Sequence, residues 1–257
     1  MAIQTKSKVA GCFDCMHGEG LAFDFTMAFQ PIVNIATGET FAHEALARGL
    51  NNESAGFVFQ HVNDGNRYRF DQTCRIKAIQ LAAELGIQSH LSINFMPNAV
   101  YQPELCIRTT LETAKKYDFP IDRIIFEITE AEKVDDHQHL REIIQYYKSR
   151  GFLTAIDDFG AGYAGLNLLA DIQTDLLKLD MALIRNVDQD KARQSIIKGI
   201  LLVCQDLGIQ VIAEGIETYE EMCVLRDFGI ELFQGYYFAK PAFQSLATPH
   251  AHWLSQA

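Results

Sequence analysis

Short apolar runs alternate along this chain with longer stretches of helical period, and most of the runs end in a polar or charged residue. Runs of that length read as buried strands. The first two cover residues 27–35 (MAFQPIVNI) and 40–47 (TFAHEALA), separated only by Ala36, Thr37, Gly38 and Glu39. So short a link cannot hold a parallel crossover, which takes about a dozen residues, so the two strands form an antiparallel hairpin. Residues 51–70 mix glycine, asparagine and aromatics and read as a connector or short helices. The pattern then predicts a helix over 71–85, with Asp71 as its N-cap and Gly86 just past its end.

From Gly86 onward one phrase recurs. A helical stretch closes on glycine, an apolar strand follows, and the strand ends in a polar residue. It stands as Gly86 then HLSIN to Asn94, Gly151 then LTAID to Asp157, Gly208 then QVIAE to Glu214, and Gly229 then ELFQ to Gln234. Two further strands, 123–129 (RIIFEIT, with Glu127) and 175–180 (DLLKLD), lack the glycine. Helices are predicted between them over 102–117, 135–150, 165–170, 188–207 and 218–228. Strands that alternate with helices indicate βαβ units and a parallel sheet. The hairpin plus six such strands predicts an α/β fold, an irregular (β/α)8 TIM-type barrel with one antiparallel strand contributed by the N-terminal hairpin. Residues 1–24 read as a polar leader and 25–257 as one domain.

Composition narrows the chemistry. The 257 residues carry a formal charge of −11. That opposes non-specific binding of a nucleic-acid polymer or a membrane surface, both of which need a basic face. No apolar run has the length of a transmembrane span, the first residues show no signal-peptide core, and the six cysteines form no dense framework. These point to a cytoplasmic protein with reduced thiols. Cys12 and Cys15 form a CxxC near His17, without a second ligand pair for zinc.

In a barrel of this kind the strand C-termini converge on one face. They bring Asn94, Glu127, Asp157, Asp158, Lys178, Asp180, Glu214 and Gln234 together, and Glu44 joins them if its strand runs the right way. One lysine cannot balance so many carboxylates. An all-oxygen donor set without histidine or cysteine suits Mg2+ or Mn2+. Room for two such ions fits in-line hydrolysis of a phosphodiester. Bland readings hold elsewhere. His43 packs, His137 and His139 are solvated, Asp118, Asp122, Asp135 and Asp136 are caps or turns, and Trp253 packs.

The residues resemble the EAL-type cyclic-di-GMP phosphodiesterases over about 25–245. Glu44-Ala45-Leu46 lies within ExLxR ending at Arg48. LSINFMP holds Asn94, FEITE holds Glu127 and Glu130, and DDFGAGYAGL begins at Asp157. KLD supplies Lys178 and Asp180, AEGIET supplies Glu214 and Glu217, and QGYYFAKP begins at Gln234. The resemblance implies hydrolysis of cyclic-di-GMP to linear pGpG with two divalent ions. It implies Glu44, Asn94, Glu127 and Asp157 as ligands of one metal, Asp157 and Asp158 of a second, and Glu214 in the same shell. Lys178, Asp180, Glu217 and Gln234 fall in the catalytic region. By the same resemblance Lys178 would orient or deprotonate the attacking water, and Asp180 and Gln234 would support water and substrate. The resemblance also implies Arg48 as a contact to the substrate phosphate, and Glu130 and Glu217 as anchors of the loop over 158–166. A homodimer through about 163–172 is implied as well. The pattern departs at Gly49, where tryptophan is common, and at Ala161 and Ala164, where threonine and serine are frequent. The alternative function is a non-catalytic effector of the same fold, binding cyclic-di-GMP or a protein. Hydrolysis of pGpG or another dinucleotide is a further possibility.

Overall fold

A computed structural model of the chain describes residues 21–129, 136–161 and 165–250. The opening hairpin is β1 (Thr26–Asn34) and β2 (Glu39–Arg48), joined by a turn in which Asn34 Oδ1 accepts the Ala36 and Thr37 N–H groups. Then come α1 (Ala55–Phe59), α2 (Arg67–Glu84), β3 (His90–Phe95), α3 (Pro103–Cys106), α4 (Arg108–Lys116) and β4 (Ile124–Thr129). The second half holds α5 (His137–Ser149), β5 (Leu153–Phe159), α6 (Leu166–Asp171), β6 (Leu176–Leu179) and α7 (Met181–Ile184). It continues through α8 (Lys191–Leu207), β7 (Gln210–Ala213), α9 (Tyr219–Asp227), β8 (Leu232–Phe233) and β9 (Ala242–Phe243).

Strands β2 to β8 pair in parallel in chain order, and β1 closes the ring by pairing antiparallel with both β2 and β8. The reversed strand is therefore β1. Glu44 on β2 runs with the rest and joins the C-terminal face. The short β9 adds to β1 outside the ring, an element too short to show in the apolar pattern.

Side chains on a strand alternate, and this sets the inside of the barrel. Ile32, Ala42, Ile125, Ala155, Leu176, Ile212 and Leu232 form an apolar floor. Two positions further toward the C-terminal face, the same strands present Gln30, Glu44, Glu127, Asp157, Lys178, Glu214 and Gln234. A polar ring thus stands about 7 Å above an apolar one. The outward positions, including Phe95, Phe126, Ile156 and Leu177, pack under the helices in the larger core.

Several expected boundaries shift. Helix α2 begins at Arg67, so Asp71 lies in its second turn and is a buried partner of Arg75 rather than an N-cap. The helix expected over 102–117 is broken at Ile107 into α3 and α4. Asp136 caps α5 through the His139 N–H. Gly208 ends α8 with φ 69°, the left-handed conformation expected for a glycine cap. The CxxC pair, Glu130, Asp135, Ala164 and Trp253 lie outside the described residues. Among the described residues, no helix is long and apolar enough to cross a membrane.

Candidate active site

The polar ring is held by pairings across neighbouring strands. Asn94 on β3 lies opposite Glu127 on β4, and Gln30 on β1 lies opposite Glu44 on β2. Gln234 Nε2 donates to Glu44 Oε2 at 2.7 Å and to Gln30 Oε1 at 3.2 Å, while Gln30 Nε2 donates to the Ala239 carbonyl. Asn94 Nδ2 donates to Glu44 Oε1 at 2.9 Å. Both oxygens of Glu44 are thereby fixed. Ser92 Oγ donates to Glu127 Oε1 in a short hydrogen bond.

Two adjacent carboxylates of a regular strand would face opposite ways. Asp157 and Asp158 do not sit in a regular strand. Ile156 pairs with Leu177 and Phe159 with Leu179, so β5 uses one residue more than β6 over this stretch. At this bulge Asp158 takes a left-handed φ of 56°, and its N–H donates to Asp157 Oδ1 at 2.9 Å. The bulge brings both acids toward the ring, at a local cost of about 1 kcal/mol.

Lys178 stands in the middle. Its Nζ lies 2.7 Å from Glu214, 3.0 Å from Glu127, 3.0 Å from Asp157 and 3.5 Å from Glu44, and its side chain is 1% exposed. Burial alone would push the ammonium pKa down, but Asp157, Glu127, Glu214 and Glu44 outweigh it and hold the pKa well above the usual lysine range. Burial pushes Glu127 and Glu214 well above the ordinary carboxylate range, against the pull of Lys178. Burial, with the neighbouring Asp157 charge, raises Asp158 to about 6.

These residues fit divalent cations on their own chemistry. Oxygens of Glu44, Glu127 and Asp157 lie within 4.8 Å of one another, and so do oxygens of Asp157, Asp158 and Glu214. Asp157 is common to both groups. Asn94 Oδ1 is buried beside the first group and has no hydrogen-bond partner among the described residues. An unpaired buried amide oxygen beside three carboxylates is what a hard cation takes as a ligand.

Two clefts open over the ring and meet at Glu44 and Asp157. The larger, about 690 Å3, is mostly apolar and runs between β2, β3 and the α1–α2 region, past Phe59, Phe70, Phe95 and Met96. The smaller, about 330 Å3, is polar and reaches Asp158, Asp180, Glu214, Glu217, Gln234 and Tyr236.

The remaining expected site residues divide. Asp180 lines the polar cleft and also caps α7 through the Ala182 N–H. Glu217 lines it too, 50% exposed and 3.0 Å from Arg185. Arg48 lines neither cleft in this state, and its Nη1 donates to the Ala47 carbonyl. His43 packs outside the ring against Ser89, and burial lowers its pKa to about 4. His139 is not solvated as expected, because its ring bonds the Val100 carbonyl. Ser92 and Gln30 were missed. The signal for each was a polar residue at an inward position within an apolar strand.

The sequence pattern of the EAL domain matches residues 21–241, and the chain belongs to this family. It is 62% identical to a standalone versatile EAL protein of Vibrio cholerae O395, whose crystal structure is a cyclic-di-GMP-bound form. The match covers 91% of this chain and 99% of that one, with a TM-score of 0.89. Among curated relatives it is 35% identical, over 88% of its length, to the blue light- and temperature-regulated antirepressor BluF of Escherichia coli. It is 29% identical, over 83% of its length, to the probable cyclic di-GMP phosphodiesterase PdeG of the same organism. The chain spans about half the length of those two relatives, 56% and 44% respectively.

Proposed function

We propose that this chain hydrolyses cyclic-di-GMP to linear pGpG in a reaction that depends on divalent cations, Mg2+ or Mn2+, in bacterial second-messenger signalling. The observation that carries this reading is the complete oxygen ring. Glu44, Asn94, Glu127, Asp157, Asp158 and Glu214 gather around one centre, where an apolar and a polar cleft meet. The V. cholerae relative's cyclic-di-GMP-bound form and the PdeG name support the substrate.

Each cleft has a part in the reading. The apolar cleft suits a flat base, and the polar one suits the sugar-phosphate ring. Two divalent cations, when bound, supply charge neutralisation for the phosphate and an activated water. Gln234 and Asn94 hold the two oxygens of Glu44 in fixed directions. Lys178, kept as an ammonium by the carboxylates around it, acts as a donor that orients water at the ring centre. Arg48 swings from the Ala47 carbonyl to meet a phosphate, and Asp180 and Glu217 shape the polar cleft. Glu130 is assigned to the loop-anchoring role with Glu217 on its motif alone.

A homodimer through the α6 region accompanies this reading, supported by Leu166, which is 57% exposed at the start of α6. A cytoplasmic location goes with it. The BluF antirepressor favours a second reading, a regulatory protein that binds without turnover. The intact acid ring argues against it.

Glu44→Ala and Asp157→Ala test the reading. Each removes an oxygen donor from the first group, and Asp157→Ala removes one from both. Both variants are expected to lose Mn2+ binding and turnover together. Near-normal hydrolysis by either contradicts the two-cation arrangement.

A further inference from the structure

Between the barrel wall and helices α2 and α5 lies a charged group in an otherwise apolar layer. Arg75 and Asp71 form an ion pair at 2.7 Å with side chains 0% and 1% exposed. Arg75 Nη1 donates to the Tyr147 hydroxyl at 3.0 Å. The guanidinium lies 5.5 Å from the Phe95 ring centre, 5.0 Å from that of Phe126 and 5.8 Å from that of Tyr147. Asp71 Oδ1 accepts the Met96 N–H at 3.0 Å.

A buried ion pair is weak evidence of stabilisation. Apolar residues of similar volume often stabilise a core as well as a buried ion pair, because the charges must be desolvated. Its placement offers a reason. Asn94 and Glu127 are register partners on β3 and β4 and point into the barrel. Phe95 and Phe126 adjoin them in sequence and therefore point outward. The Arg75 guanidinium thus stacks on the back of the strand segment whose front carries two oxygen donors. Asp71 fixes the backbone two residues past Asn94. That backbone matters because the Asn94 side chain is held among the described residues by the bond from its Nδ2 to Glu44, while its Oδ1 has no partner there.

We propose that Asp71, Arg75 and Tyr147 form a positioning network that holds the β3–β4 backbone so that Asn94 Oδ1 and Glu127 aim at one cation. This rests on the metal-dependent reading above. None of the three touches the acid ring, so they act through the strands.

The test is the double variant Asp71→Leu/Arg75→Met, which removes both charges and leaves neither unpaired. Metal-free protein is titrated with Mn2+ by calorimetry, beside urea unfolding and steady-state kinetics. The expected result is a folded protein whose urea midpoint falls modestly, because the Met96 N–H and the Tyr147 hydroxyl lose partners, with the Mn2+ Kd weakened about 10–100-fold. Asp71 also lines the apolar cleft, so the KM for cyclic-di-GMP is read on Tyr147→Phe, where at saturating Mn2+ it is expected to stay unchanged. A folded double variant with wild-type Mn2+ affinity overturns the proposal and makes the network packing alone. If the double variant fails to fold, Tyr147→Phe carries the test. It removes one hydroxyl, and a several-fold weaker Mn2+ Kd supports the proposal while an unchanged Kd overturns it. Wild-type protein that binds no Mn2+ overturns the metal reading itself, a different outcome from equal binding by wild type and variant.

Discussion

Replacing Lys178 with methionine keeps most of the side-chain volume and removes the cation at the centre of the ring. In the metal-free protein that cation lies within 3.5 Å of four carboxylates, all largely buried. Removing one partner of a buried charge cluster costs about 3–5 kcal/mol. Unfolding entropy is about 2.1 cal/mol/K per residue, or about 0.5 kcal/mol/K for this chain of 257 residues. The metal-free Tm is therefore expected to fall by about 6–9 °C. The cost depends on pH, and its sign follows from Glu127 and Glu214. Their pKa values are already raised, and losing Lys178 raises them further. A carboxylate raised in the folded state loses stability as pH rises from its unfolded value through its folded one. The gap to wild type should thus be wider at pH 8 than at pH 6. Mn2+ replaces the missing charge, so its thermal shift should be larger in the variant than in wild type. An excess of about 100 Kd supplies about 2.7 kcal/mol, or about 5 °C here. Thermal unfolding with chelator and with Mn2+, at both pH values, reads all of this. An unchanged metal-free Tm, or an Mn2+ shift no larger than that of wild type, refutes the reasoning.

Two further predictions follow from the geometry. Asp158, raised to about 6, must ionise to serve as a ligand, so Mn2+ affinity should fall as pH drops below about 6, and Asp158→Asn should flatten that slope in a calorimetric titration. Equal slopes in the two proteins contradict the assignment. At Gly235 an added Cβ would stand 2.1 Å from the Ile216 carbonyl oxygen and 2.3 Å from its nitrogen, both backbone atoms. Gly235→Ala should therefore lower the urea midpoint by an amount worth about 2 kcal/mol or more, and an unchanged midpoint would show that the Gln234 strand end yields freely.

Much of this architecture was legible because barrel strands carry a simple code. An apolar residue followed two positions later by a polar one marks the inward face. Ile125 and Glu127, Ala155 and Asp157, Leu176 and Lys178, and Ile212 and Glu214 all follow it. What stayed hidden depends on pairing. The direction of β2, and so the place of Glu44, follows from its parallel ladder with β3, which its own residues do not encode. The bulge at Asp157 and Asp158 is a difference in residue count between two strands far apart in sequence. Asp71 reads as a cap because it opens an apolar stretch, and only packing against Arg75 and Met96 shows its place. Arg48 was placed by its motif, and here its Nη1 donates to the Ala47 carbonyl.

The most direct test of the central claim is product analysis. Purified protein is incubated with cyclic-di-GMP and Mg2+, then Mn2+, then a chelator, and the nucleotides are separated by chromatography. The account predicts pGpG with either metal and none with the chelator. Tight cyclic-di-GMP binding with no pGpG under any of these conditions would contradict it and leave the protein an effector.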